Sequence, residues 1–165
     1  MTAPGRASGK SPAPVRLHDL IDVAEAQCDT VLHYLNLESG EICTVSEEAF
    51  YLAGEGTAEC DRIPQWQQEE VERAKRISAS DHYVVLPASW DIHEWAIVEQ
   101  FCSSVSDTEV ASQLLAAIHG RGAFRRFKDQ LAQHSLWESW NEFRHSAIRH
   151  LVVEWCEAHA IPYVA

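Results

Sequence analysis

Positive charge is scarce in this chain: 13 Lys and Arg stand against 25 Asp and Glu, for a net charge of −12. A body this acidic repels polyphosphate beyond about a Debye length, roughly 8 to 10 Å. General binding to nucleic acid or to an anionic membrane is therefore disfavoured, unless a local cluster outweighs the field. Long apolar runs are missing too. No stretch approaches the roughly 18 apolar residues of a membrane span, and the first fourteen residues hold no apolar run of the signal-peptide kind. A cytoplasmic protein that does not engage membranes is the expectation. The cysteines Cys28, Cys43, Cys60, Cys102 and Cys156 are odd in number and form no Cys-x-x-Cys. Neither a disulfide framework nor a zinc ribbon is indicated, and reduced, mostly buried thiols are expected.

Catalytic fingerprints are absent as well. There is no Gly-x-Ser-x-Gly, no phosphate-cradling loop and no dinucleotide motif, and each of those chemistries needs its glycines at fixed offsets to bring backbone N–H groups to the ligand. Nine histidines form neither His-Glu-x-x-His nor His-x-x-x-His, and Cys156 with His159 is a lone pair without a partner pair at metal-ligand spacing. The thiols sit among Val, Phe, Trp and acidic residues, not in the basic, partly exposed setting that makes a nucleophile. No cofactor, metal or catalytic residue is expected, and an enzyme ranks behind a binding protein.

What is present is enough for one domain. At 165 residues the chain can bury most of its apolar surface without disulfides or metal, and six Trp point to large aromatic anchors, most of them expected in the core. Residues 1–14 are Pro, Gly, Ser and Ala with two basic side chains, too poor in large apolar groups to offset ordering entropy, and read as a disordered tail. Residues 15–165 read as a single α+β domain. Val15, Leu17, Leu20, Ile21 and Ala24 recur at helical spacing to about Cys28. Two alternating runs, 30–37 and 41–45, flank Glu38-Ser39-Gly40 and predict a β-hairpin. Ser46 reads as a helix cap, Pro64 as the start of a charged helix to Ile77 with i,i+4 pairs joining Glu69 and Glu72 to Arg73 and Arg76, and 82–86 as a third strand. From Ser89 onward the pattern is helical. Asp91 with Glu94 and Ser106 with Glu109 fit capping arrangements, Gly120 and Gly122 separate two helices, and Leu136 to Trp155 keeps helical register for five turns. The fold expected is a small antiparallel sheet, hairpin plus third strand, that packs against or caps a C-terminal bundle of about four helices.

Charge is uneven along the chain. Residues 1–16 carry +3, residues 17–120 carry −16 and residues 121–165 carry +1. Four of the thirteen basic side chains, Arg121, Arg125, Arg126 and Lys128, fall in eight positions of Gly120–Asp129. Gly122 permits a helix restart there, and Phe124, Phe127 and Leu131 read as its apolar stripe. The functional reading is an anion or partner site built from Arg121, Gly122, Arg125, Arg126 and Lys128. The structural reading pairs those arginines with Glu138, Glu142 or Glu94. A Trp beside an arginine cluster also has the composition of a protein-binding hot spot.

Tyr34-Leu-Asn-Leu-Glu-Ser-Gly-Glu41, Tyr83-Val-Val-Leu-Pro87 and above all Gly120-Arg-Gly-Ala-Phe-Arg-Arg-Phe-Lys-Asp129 resemble the motifs of uncharacterised protein family 0158. Trp140-Asn-Glu-Phe-Arg144, Glu154-Trp155 and Ile161 match its closing motifs, so the resemblance spans roughly residues 17–161. It implies a bacterial protein, and it brings no activity, cofactor or catalytic residue to carry over. One position departs: after Phe143-Arg144 the family tends to an acidic residue, and this chain has His145. The expectation is a non-enzymatic cytosolic binding or regulatory protein that engages a protein partner through Gly120–Asp129. Nucleic acid or nucleotide phosphate, held by Arg121, Arg125, Arg126 and Lys128, is the alternative. No motif fixes the oligomeric state.

Overall fold

Hydrogen bonding at the turn after Asn36 explains why the hairpin forms where it does. Asn36 Oδ1 accepts the N–H groups of Glu38 at 2.9 Å and Ser39 at 3.3 Å. Gly40, at φ +75°, donates its N–H to the Asn36 carbonyl at 2.8 Å. Asx turns and a left-handed glycine reverse the chain at little cost. Residues 12–26, 30–55, 63–87 and 93–165 are described by this computed structural model. They fall into two compact units, one within Met1–Ser89 and Val152–Ala165, the other within Trp90–Leu151.

The first unit holds strand β1 (Val15–Arg16), helix α1 (Leu17–Glu25), the hairpin strands β2 (Val31–Asn36) and β3 (Ile42–Ser46), helices α2 (Glu47–Glu55) and α3 (Gln65–Ser78), and strand β4 (Tyr83–Val85). Strand β5 (Tyr163–Val164) closes it by pairing in parallel with β1. The three-stranded sheet has the order β3-β2-β4 and is antiparallel throughout. Val45, Ala49, Val71, Ala74 and Ile77 form a buried cluster with Tyr34, Phe50 and Tyr83 packed around it. One face of the sheet thus lies on α2 and α3, while Leu35, fully buried, points to the opposite face. Ser46 caps α2 as expected, its Oγ accepting the Ala49 N–H at 3.2 Å.

Helices α4 (Glu94–Ser104), α5 (Thr108–Ala117), α6 (Ala123–Gln133) and α7 (Trp137–Ala158) follow, and α7 runs on from the second unit into the first. The α+β class, with a three-stranded sheet and four C-terminal helices, is as the sequence indicated. In the second unit Phe101, Phe127, Trp140 and Phe143 form an edge-to-face cluster. Its ring centroids lie 5.1 Å apart for Phe127 and Trp140 and 5.3 Å for Phe101 and Trp140, the preferred aromatic geometry.

Several local expectations shift. Val15 and Arg16 are strand, not the first turn of a helix, because the Val15 N–H is taken by Pro162 across the β1–β5 pair. The cap of α5 is Asp107, whose Oδ1 accepts the N–H groups of Glu109 and Val110, and not Ser106. His93, at φ 20°, precedes α4 without a side-chain cap, and Asp91 lies outside the described residues. Arg73 does not join an i,i+4 pair; it donates to the Thr44 carbonyl instead. Of the tryptophans described, Trp140 is core and Trp155 half-buried, whereas Trp66, Trp95 and Trp137 are exposed. The expected tail lies outside the described residues up to residue 11, and beyond it the Ala13 N–H binds the Leu37 carbonyl at 2.8 Å.

Candidate functional site

The linker from α5 to α6 contains two glycines in the left-handed region, Gly120 at φ +78° and Gly122 at φ +77°. A side chain there would meet its own backbone, so both positions favour glycine. Together they fold the linker back over the C-terminal end of α5. The result is a concave run of carbonyl oxygens that Arg126, one turn into α6, fills. Its Nε donates to Ala117 at 3.3 Å, and its two terminal nitrogens donate to Arg121 at 2.6 Å and His119 at 2.5 Å. A guanidinium offers donors in a rigid fork, and the unsatisfied carbonyls of a helix end carry partial negative charge, so the match is both geometric and electrostatic. Arg126 is therefore a structural clamp. Gly122 belongs to the same clamp: a Cβ added there would sit 3.4 Å from an Arg126 terminal nitrogen.

The inner stripe of α6 is Ala123, Phe127 and Leu131, a strict i, i+4, i+8 row. Phe124 was expected on that stripe and is 51% exposed instead, because the small Ala123 takes the inward position against the tight linker. On the outer face Lys128 holds its ammonium 4.4 Å from the Phe124 ring centroid, an i,i+4 cation–π pair. Arg121, in the linker, and Arg125 are exposed and make no ion pair with a described residue. Glu94 is taken by Arg144, whose Nε donates to Glu94 Oε1 at 2.9 Å, and among the described residues no carboxylate pairs with the basic cluster. The five predicted positions, all exposed, thus separate by partner: Arg126 and Gly122 hold the junction, Lys128 sits over the Phe124 ring, and Arg121 and Arg125 make no ion pair with a described residue. Sequence reasoning missed Phe124. The signal was available, since 123, 127 and 131 form a complete inner row without it.

Burial pushes the thiols of Cys102 and Cys156 up to about 11, which keeps them protonated at neutral pH. On β2, burial lowers His33 and raises the Tyr34 phenol. Among the described residues no group of three His, Cys, Asp or Glu is placed to hold a metal ion, and no helix is long and apolar enough to cross a membrane.

No curated protein and no solved structure matches the chain. Uncharacterised protein family (UPF0158) matches residues 10–165, a span that takes in the hairpin, the β4 strand, the Gly120–Asp129 clamp and the closing motifs. The chain belongs to that family.

Proposed function

We propose that the chain is a non-enzymatic binding protein that engages an acidic surface of a partner protein through the outer face of α6. Arg121, Arg125, Lys128 and Phe124 carry the contact. The observation behind this reading is Phe124, a large aromatic left half exposed with a lysine ammonium over its ring, in a chain of net charge −12 whose nearby acids leave the arginines unpaired. An aromatic anchor flanked by arginines is the composition of an interface hot spot. Arg121 and Arg125, which form no ion pair with a described residue, are available to an external partner.

Affinity capture from a native cell extract tests it, comparing wild type, Phe124→Ala/Arg125→Glu and the remote control Trp66→Ala. The double variant is expected to lose a partner that the other two retain. Identical captured sets from all three would defeat the proposal. Nucleic acid in the captured material, released steeply by salt, would favour phosphate recognition by the same face.

A further inference from the structure

A cavity of about 820 Å3 in the first unit is lined by five consecutive residues, Gly40 to Thr44, and by Pro14–Arg16, Asp19, Asp22 and Arg73 among others. Successive residues of a strand point to opposite faces of the sheet, so a wall made of consecutive residues is the edge of the strand. That edge is β3, the outer strand of the sheet.

The register shows which backbone groups it presents. The Asn36 N–H binds the Glu41 carbonyl, and the Glu47 N–H binds the Thr30 carbonyl. The pairs Tyr34 with Cys43 and Leu32 with Val45 therefore exchange hydrogen bonds, and Ile42, Thr44 and Ser46 turn their N–H and C=O groups outward. Helix α3 covers the far end of that row. The Ser46 N–H donates to Glu70 Oε1 at 2.7 Å, and Arg73 donates to the Thr44 carbonyl at 3.1 Å. Natural sheets blunt their edges with such side chains. Here the blunting stops at Thr44. The Ile42 N–H, the Ile42 carbonyl and the Thr44 N–H have no described partner, and the cavity lies along them.

We propose that this open stretch of β3 is a docking site for an extended peptide, which adds to the sheet as a further strand. Main-chain hydrogen bonds to Ile42 and Thr44 supply the affinity, as in other strand-addition complexes. Charge sets the peptide's chemistry. Arg73 commits one terminal nitrogen to Thr44, makes no ion pair with a described residue and stands at the Thr44 end, where it meets a peptide carboxylate. Arg16 is already neutralised by Asp19 at 2.7 Å. Asp22, which faces the His18 ring at 3.3 Å, and Glu41, which accepts the Ser39 hydroxyl at 3.3 Å, are paired with no lysine or arginine among the described residues and meet a lysine or arginine of the peptide. The volume suits a short peptide. This site is independent of the α6 face.

The test is a titration of the full chain, 15N-labelled, with the free tetrapeptide Lys-Val-Lys-Val, followed by amide shifts. The expected result is saturable shifts centred on Ile42 and Thr44. Amidation of the peptide C-terminus should weaken binding about tenfold, the loss of one charge-assisted contact, and N-methylation of its alternate amides should abolish binding. In the protein, Thr44→Pro removes an N–H that faces away from the sheet, a substitution an edge strand tolerates. It should end binding while far-UV circular dichroism is unchanged, and Asp22→Asn should weaken binding with the fold intact. The proposal is overturned by an absence of saturable shifts at millimolar peptide, by equal binding of the N-methylated form, or by Ile42 and Thr44 shifts that depend on protein concentration alone. The last outcome would give the edge to a second copy.

Discussion

Removing the Arg126 guanidinium should cost stability that removing its neighbour Arg125 does not. In Arg126→Ala three carbonyls at the end of α5 and in the linker lose their donors. A net hydrogen bond contributes about 0.5 to 1.5 kcal/mol, and more when the donor is charged. These carbonyls lie near the surface and rehydrate in part, so we take about 0.7 kcal/mol for each of the three, in the lower half of that range, and expect a total of about 2 kcal/mol. For a chain of this length about 1 kcal/mol moves Tm by roughly 2 to 4 °C, which gives a fall of about 4 to 8 °C. If the unit within Trp90–Leu151 melts by itself, its smaller unfolding entropy roughly doubles that shift. Arg125→Ala removes no described contact and should stay within about 0.5 kcal/mol of wild type. Arg126→Lys, with a point charge in place of a fork, should fall between the two. Differential scanning calorimetry reads all three. An Arg126→Ala midpoint within about 1 °C of wild type, or an equal loss for Arg125→Ala, would refute the clamp.

Other consequences follow from burial. Phe127→Ala empties a site that is 1% exposed and removes edge contacts to Phe101 and Trp140; it should cost about 3 to 5 kcal/mol in urea unfolding, and a loss under 1 kcal/mol would contradict the aromatic core. Burial lowers the His33 pKa from 6.5, so the unfolded chain takes up that proton first; His33 favours the fold above 6.5, and its contribution declines as pH falls from there through the folded value. His33→Gln should flatten the pH dependence of unfolding in that window, and an unaltered slope would count against it. Cys102 and Cys156, buried and pushed up to about 11, should alkylate far more slowly than the half-buried Cys43 in the native protein, as peptide mass mapping would show; equal rates would mean the two helices open readily.

Elements whose signals are local were legible in the sequence. Asn36, Gly40 and the alternating runs beside them specify the hairpin, and Ser46 specifies the start of α2, because in each case the deciding hydrogen bond spans only a few residues. The β1–β5 pair was not legible: two residues at each end of the chain form it, and neither stretch is long enough to show a pattern. The candidate site was half legible. Its glycines and basic residues mark it, but the partners of Arg126 are backbone carbonyls made accessible by two left-handed glycines, and a search among acidic side chains misses them. Phe124 was misassigned because Phe124 and Phe127 at i,i+3 look like one stripe until Ala123 completes a better one.

The most direct test of the divided cluster sets stability beside binding in the same variant. Phe124→Ala/Arg125→Glu should keep a thermal midpoint within about 2 °C of wild type and lose a captured partner. A large fall in the midpoint with capture unchanged would contradict the division, and would return the outer face of α6 to a role in folding.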